Sequence, residues 1–321
     1  MRTTYCLLVV AIGLILVGCS SPAESTTAAK RLTSDGPAAN VGSSGSRGGL
    51  LGGWLTSGSP ASSTKPAPAS PNLYEKLLFH PTKFPAGDWQ PAELTFESID
   101  FTSADDTRLH GWFCPCESPR AVVLYAHGNA GNLSYDVDLL RRLQKELRVA
   151  TFAFDYRGYG KSEGEPTVAG ILDDASSART WLAKRTGMAE SQITLMGRSL
   201  GGAVVVQLAA ETHPRGLILE STFSSLKEAA AHHFPKLAWL VPKDELNSAA
   251  KMLSYHGPLL LSHGDADQTI PFAQSEALYE TQTHPKQWGT KHFFRIPGGD
   301  HNDPQPPEYY RQLDRFFGEL P

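Results

Sequence analysis

The sequence predicts an α/β fold in which helices flank a mostly parallel, doubly wound sheet. Two observations support this prediction. Short apolar runs of strand length recur between residues 94 and 296, and helix-length segments separate most of them. Strands that are apolar throughout are typical of parallel sheets covered on both faces, and their alternation with helices is typical of crossover connections.

The predicted elements follow one another in a regular order. Strands are expected at 94–101 and 108–114, on either side of an Asp-Asp-Thr turn, and these form an opening pair. The remaining elements are, in chain order, a strand at 121–126, a helix at 134–147, a strand at 149–155, a helix at 167–185, and strands at 193–196, 216–220, 258–262 and 291–296. Ligands of such sheets bind at the carboxyl ends of the strands, so functional residues are expected in the turns that follow them.

One of those turns has the sequence Gly-Arg-Ser-Leu-Gly at 197–201. A strand precedes it, and a run of small apolar residues at 202–210, typical of the start of a packed helix, follows it. A G-x-S-x-G sequence in this context is typical of a nucleophile elbow, a sharp turn that presents the serine hydroxyl above the sheet edge. Glycines suit such a turn because a Cβ would collide with the neighbouring elements. The alternative is a glycine-rich helix cap with an incidental serine.

A nucleophilic serine requires a histidine to accept its proton and a carboxylate to orient that histidine. In hydrolases with an elbow the chain order is serine, carboxylate, histidine. Here the segment 263–267 (HGDAD) follows the strand at 258–262, and the segment 298–301 (GGDH) follows the last strand. His301 is therefore the candidate base. Asp265 and Asp267 both qualify as the acid, as do Asp155 and Glu220 at the ends of other strands.

Five segments together resemble the α/β-hydrolase superfamily, and within it the small-capped serine hydrolases, which include membrane-associated esterases and protein depalmitoylases. The segments are GRSLGG, HGNAGN, FDYRGYGKSEGEP, HGDADQTIP and GGDHND, and the resemblance spans residues 94–317. It implies that Ser199 is the nucleophile, Asp267 the triad acid and His301 the general base. Related sequences are often labelled serine peptidases, so amide cleavage is an alternative to ester cleavage.

The oxyanion of an acyl-transfer intermediate needs two preorganised backbone N–H donors. One is expected from Leu200, the residue after the nucleophile. By analogy with the family, the other comes from the loop at 127–132, where Asn129 is favoured over Ala130.

Several other polar residues receive structural expectations. Arg157, in a family-like loop after the strand at 149–155, is expected to be a structural hydrogen-bonding residue. His127 and His263 each precede a glycine in strand-end turns, where they are expected to support the backbone. Cys114 and Cys116 are expected to be thiols, because same-face strand positions two residues apart are too far apart for an unstrained disulfide.

A short insert at about 223–256 occupies the place where superfamily members carry a lid, and we expect it to form a small cap. It contains the apolar residues Phe234, Leu237, Trp239, Leu240 and Val241. These side chains suit either of two roles, which are binding an acyl chain or modest hydrophobic ester and packing the cap onto the domain.

The first 71 residues differ in composition from the rest of the chain. Residues 1–18 contain an early arginine and a short apolar run, and Leu16-Val17-Gly18-Cys19 resembles the lipobox of bacterial lipoproteins. The resemblance implies a cleaved signal peptide at 1–18 and lipidation of Cys19. The alternatives are an ordinary signal peptide cleaved nearby and an uncleaved N-terminal anchor. Ser20 follows, which favours the outer membrane of a bacterial cell envelope, with the protein facing the periplasm. Residues 19–71 are rich in Ser, Gly, Ala, Pro and Thr and are predicted to be a disordered tether, interrupted by an apolar stretch at 48–55.

The sequence thus predicts a catalytic domain at 72–321 that acts as a serine hydrolase on carboxylic esters or thioesters through an acyl-enzyme. The alternatives are a serine peptidase or amidase of the same fold and a non-catalytic envelope-binding lipoprotein. The net charge of −4 argues against a nucleic-acid partner. We expect no cofactor and no metal, and the expected partners are a small-molecule or acyl-ester substrate and the membrane through the lipid anchor.

Overall fold

The strands and helices of the computed structural model lie within residues 70–282 and 290–321, the residues that it describes. The strands are β1 (His80–Pro81), β2 (Glu97–Thr102), β3 (Arg108–Cys114), β4 (Ala121–Ala126), β5 (Ala130–Gly131), β6 (Val149–Asp155), β7 (Thr194–Arg198), β8 (Gly216–Glu220), β9 (Leu259–Gly264) and β10 (Lys291–Ile296). The α-helices are α1 (Leu73–Leu78), α2 (Val137–Lys145), α3 (Val168–Thr186), α4 (Leu200–Thr212), α5 (Leu226–His233), α6 (Ser248–Met252), α7 (Phe272–Thr281) and α8 (Pro307–Glu319). Short 3₁₀ helices cover Leu133–Asp136, Glu190–Gln192 and Ala238–Leu240.

An eight-stranded sheet forms the centre of the structure, in the order β10-β9-β8-β7-β4-β6-β3-β2. Strand β3 pairs antiparallel with both β2 and β6, and every other pair is parallel. The inner parallel strands β4, β6, β8 and β9 are buried along their length, and their side chains alternate between two faces. The predicted α/β class with a mostly parallel, doubly wound sheet is therefore confirmed.

Helices cover both faces of the sheet and enclose two hydrophobic cores. In β4, Val122 and Leu124 point to one core and Val123 and Tyr125 to the other. The first core is completed by α3 and α4, and the second by α2 and α8. Because both faces of β4 are buried, its sequence is apolar at every position, and this is the pattern from which the strand was predicted.

Most strands agree with the sequence prediction to within two residues, but the opening one begins later than expected. A strand was predicted from residue 94, whereas β2 starts at Glu97. The Leu94 N–H donates to the Pro91 carbonyl in a turn, and Thr95 pairs with the side chain of Gln144 instead of a strand neighbour. The predicted helix at 134–147 is also divided, since its first turn is the 3₁₀ helix and α2 starts at Val137.

The segment before β2 contains structure that the sequence analysis did not predict. Helix α1 begins with a capping box, in which the Asn72 side chain accepts from the Glu75 N–H and the Glu75 carboxylate accepts from the Asn72 N–H. Strand β1 then pairs in parallel with β5, so His80 lies opposite Ala130. The N-terminal segment of the domain therefore braces the loop after β4.

The predictions for the first 69 residues lie outside the described residues. They comprise the signal peptide at 1–18, the lipidation site Cys19, the apolar stretch at 48–55 and nearly all of the tether at 19–71. Within the described part of the chain, no helix is both long enough and apolar enough to cross a bilayer.

Candidate active site

The turn between β7 and α4 contains Ser199 in a strained backbone conformation. Its φ of 53° and ψ of −118° lie where non-glycine residues are rare. The neighbouring glycines allow this turn to sit tightly against other backbone: a Cβ on Gly197 would lie 2.3 Å from the Gly201 carbonyl oxygen, and one on Gly201 would lie 2.0 Å from that of Ala126. The Ser199 N–H donates to the Glu220 carbonyl at 2.8 Å. These contacts fix the elbow that the sequence predicts.

The three residues of the predicted triad lie in one hydrogen-bonded series at the carboxyl ends of the strands. The Ser199 hydroxyl is 3.1 Å from His301 Nε2, and His301 Nδ1 is 2.7 Å from Asp267 Oδ2. All three residues are buried. Ser199 follows β7, Asp267 follows β9 and His301 follows β10, so three separate connections bring them together. Such a series has the geometry needed to remove a proton from a serine hydroxyl.

Asp267 is held as a carboxylate by several donors. Its Oδ1 accepts from the N–H groups of Thr269 and Ile270, at 2.8 and 2.7 Å. Its Oδ2 receives His301 Nδ1 and also lies 3.0 Å from His263 Nε2. Burial alone would raise the pKa of Asp267, but the hydrogen bonds from His263 and His301 outweigh it and bring the pKa well below its ordinary value.

The contact of His263 with Asp267 was not anticipated. The sequence analysis expected His263 to support the backbone only, and it does so by donating from Nε2 to the Ile270 carbonyl at 2.8 Å. The same nitrogen also faces Asp267 Oδ2, and Nδ1 lies 2.5 Å from Ser275 Oγ. Two imidazoles therefore converge on one carboxylate oxygen. The residue precedes Gly264 and Asp267 in the segment HGDAD, but nothing in that spacing shows which way its ring points.

Removing His263 is expected to lower kcat more than it changes KM, because its ring contacts Asp267, the predicted acid, and its nitrogens face Asp267, Ile270 and Ser275. A hydrogen bond to a charged group contributes about 1.5–3 kcal/mol, so His263→Ala is expected to lower kcat about 10- to 100-fold. His263→Gln retains an N–H donor and should recover part of that loss. Steady-state kinetics of both variants check this, with His292→Ala, a change on β10 at a surface ion pair, as the control.

An equal loss in both His263 variants, accompanied by a matching fall in thermal stability, would indicate that His263 only fills space in the core.

The other carboxylates considered as the acid lie elsewhere. Asp265 accepts from Arg295 Nε at 2.7 Å and from the Gly298 N–H at 2.6 Å, and so holds the loop before His301. Asp155 accepts from the Leu133 N–H at 2.8 Å beneath the loop after β4. The structure therefore brings Asp267, and neither of these two, to His301.

Glu220 contacts the elbow through its backbone, while its side chain is buried beside a cationic group. Burial raises the pKa of Glu220 to about 7, although the neighbouring Tyr309 hydroxyl and the charge of Arg198 act in the opposite direction. Arg198 in turn donates to the backbone carbonyl of His301 at 2.7 Å. The variable residue of the G-x-S-x-G turn therefore anchors the loop that carries the candidate base, which the sequence analysis missed.

Relative to the unmodified chain, Glu220→Gln is expected to raise the free energy of unfolding more at pH 8 than at pH 5. In the unfolded chain Glu220 ionises near pH 4.5, whereas in the folded protein its pKa is about 7, so its contribution to stability falls as the pH rises between these values. One pKa unit corresponds to about 1.4 kcal/mol, so the gain in unfolding free energy should be up to about 3 kcal/mol larger at pH 8. Urea unfolding at both pH values measures it. Glu276→Gln, a change at an exposed position on α7, is the control, and a gain that is identical at both pH values would contradict the expectation.

The residues predicted to supply the oxyanion donors lie close to Ser199. Leu200 is the first residue of α4, and N–H groups of the first helical turn have no acceptor within the helix. The loop after β4 passes close to the elbow, because a Cβ on Gly128 would lie 3.8 Å from that of Ser199. The next residue, Asn129, is buried and held by its side chain, which donates to the Leu78 carbonyl at 2.6 Å. Ala130 pairs with His80 in the small sheet.

The loop is also fixed by a tyrosine. The Tyr159 hydroxyl lies 2.8 Å from the Asn129 carbonyl oxygen and 2.9 Å from its side-chain oxygen. His127, which begins the loop, has its carbonyl bonded by the Tyr156 hydroxyl at 2.9 Å, in agreement with a supporting role. The backbone of the loop is thus preorganised by contacts from β1, α1 and the segment after β6.

Arg157 has the structural role expected for it. It is buried, and its guanidinium donates to Asp174 at 2.7 Å and to Asp105 at 2.8 Å. These bonds join the start of the loop after β6 to α3 and to the β2–β3 turn. Both Cys114 and Cys116 are free thiols, and burial raises the pKa of Cys114 to about 12. In the described ranges no group of three or more His, Cys, Asp or Glu side chains is placed to hold a metal ion.

The apolar residues of the small cap divide into two groups. Phe234 and Val241 pack against the first core, as the packing role predicts. Trp239 and Leu240 are exposed. The cap consists of α5, the 3₁₀ turn Ala238–Leu240 and α6, and His233 Nε2 lies 2.8 Å from the Thr269 carbonyl oxygen, two residues after Asp267. The cap is therefore attached next to the candidate site.

Comparison with known proteins places this chain among hydrolases. The family model of the serine aminopeptidases S33 (Hydrolase_4) matches residues 117–254. The chain is 38% identical over 223 residues to the uncharacterized protein YfhR of Escherichia coli (strain K12). This match covers 66% of this chain and 76% of YfhR. It is 31% identical over 250 residues to the protein bem46 of Schizosaccharomyces pombe, covering 72% of this chain and 81% of bem46.

Solved structures show the same fold. The Pyrococcus furiosus esterase Pf2001 superposes with a TM-score of 0.62 and 21% sequence identity, covering 76% of this chain and 98% of the esterase. At this identity the likeness concerns the fold.

Proposed function

We propose that this chain, which belongs to the α/β-hydrolase family of S33 serine aminopeptidases, is a lipid-anchored serine hydrolase that cleaves carboxylic ester or thioester bonds. The observation that carries the proposal is the unbroken series from Ser199 through His301 to Asp267, with separations of 3.1 and 2.7 Å, at a strained elbow. A buried serine, histidine and carboxylate in this order have no structural need to be linked at a sheet edge, whereas nucleophilic catalysis requires the link.

The first half of the proposed reaction forms an acyl-enzyme. Ser199 Oγ attacks the carbonyl carbon of the substrate while His301 Nε2 accepts the hydroxyl proton. The resulting imidazolium is stabilised by Asp267 Oδ2, which accepts from His301 Nδ1. The N–H groups of Leu200 and Asn129 donate to the oxyanion of the tetrahedral intermediate. Collapse of this intermediate breaks the bond to the leaving group, which takes the proton from His301.

The second half releases the acid. Water attacks the acyl carbon while His301 Nε2 accepts a proton from it, a second tetrahedral intermediate forms in the same oxyanion site, and its collapse returns the proton to Ser199 Oγ. The same residues therefore act in both halves. The low pKa of Asp267 keeps it ionised throughout, as the stabilisation of an imidazolium requires.

A panel of substrates that share one acyl group tests the bond type. Oxygen esters, thioesters and aminoacyl amides differ only in the leaving group, and we expect kcat/KM for the esters and thioesters to exceed that for the amides. The description of the matching family model favours a peptidase as the second candidate, and amide cleavage as fast as ester cleavage would establish it. Absence of cleavage of all three classes by the folded protein would favour a non-catalytic envelope-binding protein.

The lipid anchor is a separate part of the proposal. Its support is the Leu16-Val17-Gly18-Cys19 sequence after a short apolar run, followed by the Ser- and Pro-rich segment. We propose attachment through Cys19 to a bacterial envelope membrane, with the domain facing the periplasm from the outer membrane. Intact-mass measurement should show the loss of residues 1–18 and addition of lipid, and Cys19→Ser should abolish both. Membrane fractionation of the two forms then tests the location.

A further inference from the structure

Exposed apolar side chains are concentrated on the face that carries Ser199. Among the described residues, the exposed large apolar side chains are Leu73, Phe84, Tyr135, Trp239, Leu240 and Leu253. All but Leu253 belong to segments that lie at the carboxyl ends of the strands. Single exposed apolar residues are ordinary on protein surfaces, but the concentration of five of the six on one face calls for a reason.

The contacts of each segment place it on this face. Tyr135 follows the loop after β4, and Phe84 donates from its N–H to the carbonyl of Gly160, just beyond β6. Leu73 belongs to α1, whose last carbonyl accepts from the Asn129 side chain. Leu253 instead lies between α6 and the amino end of β9, away from these connections.

The cap presents the strongest feature of the face. In the 3₁₀ turn Ala238–Leu240, Ala238 is buried and fixes the turn, while Trp239 is 73% and Leu240 41% exposed. The exposed Lys236 and Lys243 flank the turn, and the acidic residues Asp244 and Glu245 follow the second lysine. Tryptophan and leucine beside lysine are typical of surfaces that lie in the headgroup region of a bilayer, where an aromatic ring meets both water and lipid.

The chain enters the domain beside this cap. Asn72 caps α1. Two residues later, the Tyr74 hydroxyl lies beside the Glu245 carboxylate. Burial and this carboxylate both raise the pKa of Tyr74. The proposed anchor Cys19 lies 53 residues before Asn72 in the sequence. A chain segment of this length keeps a domain anchored at Cys19 within reach of the bilayer, and Asn72, where the segment joins the domain, lies on the apolar face.

We infer that the face carrying Ser199 rests on the lipid bilayer, with Trp239 and Leu240 inserted at the headgroup level, so that the enzyme takes its ester substrates from the membrane. The inference rests on the proposed function, because it assigns the substrate class of that same site. A protein partner is the other kind of occupant for such a face. The bilayer is favoured by the point at which the tether joins the domain and by the lysines beside the exposed tryptophan.

Quenching of Trp239 by brominated lipid tests the orientation directly. The full chain and its W239F variant are reconstituted into phosphatidylcholine vesicles with bromine on the upper acyl carbons, and the difference between their emission spectra isolates Trp239. We expect that emission to be quenched and blue-shifted. The control places a tryptophan at the position of Leu253, which is 60% exposed, by L253W in the W239F background, and its emission is expected to be unquenched.

An unquenched Trp239, or equal quenching at both positions, would overturn the inference, as would failure of the chain to associate with the vesicles. Persistent exposure of Trp239 to water would point instead to a protein partner. The inactive variant S199A is measured in the same way and should show the same quenching. Absence of ester hydrolysis by the unmodified, folded chain, with quenching of Trp239 retained, would be a failure of the proposed function alone.

A kinetic comparison provides a second measurement. The W239S/L240S double variant removes both apolar contacts, and with them the favourable transfer of two large apolar side chains out of water. The ratio of the rate on a vesicle-borne ester to the rate on a short water-soluble ester is expected to fall at least about tenfold relative to the unmodified chain. L253S should leave that ratio unchanged. An unchanged ratio in W239S/L240S, in protein that hydrolyses the soluble ester, would contradict substrate uptake from the bilayer.

Discussion

Ser199→Ala is expected to lower kcat for ester hydrolysis by about 10⁴-fold or more, because the reaction loses its nucleophile and the remaining oxyanion donors act alone. The fold should be unaffected. The substitution removes the 3.1 Å hydrogen bond between the Ser199 hydroxyl and His301. It keeps the backbone N–H that donates to the Glu220 carbonyl. Initial-rate kinetics, with thermal unfolding as the measure of stability, check both expectations.

The matched control is Ser248→Ala, since Ser248 is also a buried serine but lies in α6 of the cap. It should retain activity. Comparable activity in Ser199→Ala and the unmodified chain would mean that Ser199 is not the nucleophile and that the elbow has another role.

Asp267→Asn is expected to lower kcat by about 10⁴-fold, the second largest effect. The amide keeps the size of the carboxylate, but it carries no charge to stabilise the His301 imidazolium and can favour the wrong tautomer of the ring. The comparison is Asp265→Asn, two residues away, whose carboxylate contacts Arg295 and Gly298. That change should lower kcat by less than about tenfold, because it weakens one hydrogen bond in a supporting loop.

The kcat values of Asp267→Asn and Asp265→Asn thus show which of these two carboxylates acts as the triad acid. If Asp265→Asn caused the larger loss, the acid would be misassigned. Equal small losses would mean that no carboxylate is needed to orient His301.

The centre of the sheet was predictable because its inner strands are buried on both faces. β3, β4, β6, β8 and β10 have the predicted bounds. In the parallel strands β4, β6 and β8 each position is apolar or shielded, so the run of apolar residues itself marks the strand. The elbow was predictable for a different reason: Gly197 and Gly201 are required by close backbone contacts, and that requirement leaves a readable pattern.

The supporting structure of the site was less predictable. Strands β1 and β5 are each two residues long and form by pairing of His80 with Ala130, which lie 50 residues apart in the sequence. No local sequence pattern therefore predicts them. The capping box at Asn72 and Glu75 was a readable signal for α1 that the sequence analysis did not use.

The orientation of side chains was predictable only where the family resemblance supplied it. Asp265 and Asp267 have the same chemistry and nearly the same position in the sequence, and only the path of the loop after β9 sends one to Arg295 and the other to His301. The roles of Arg198 and His263 likewise depend on contacts made across separate strands. Long-range geometry of this kind is fixed by packing and not by local sequence.

The measurement that tests the central claim most directly is covalent labelling with a fluorophosphonate, which reacts with a serine only when a neighbouring base activates it. The account predicts one adduct on the folded chain, located by peptide mass spectrometry on Ser199, and none in Ser199→Ala or after unfolding. A folded chain that fails to react, or that carries the adduct on another serine, would contradict it.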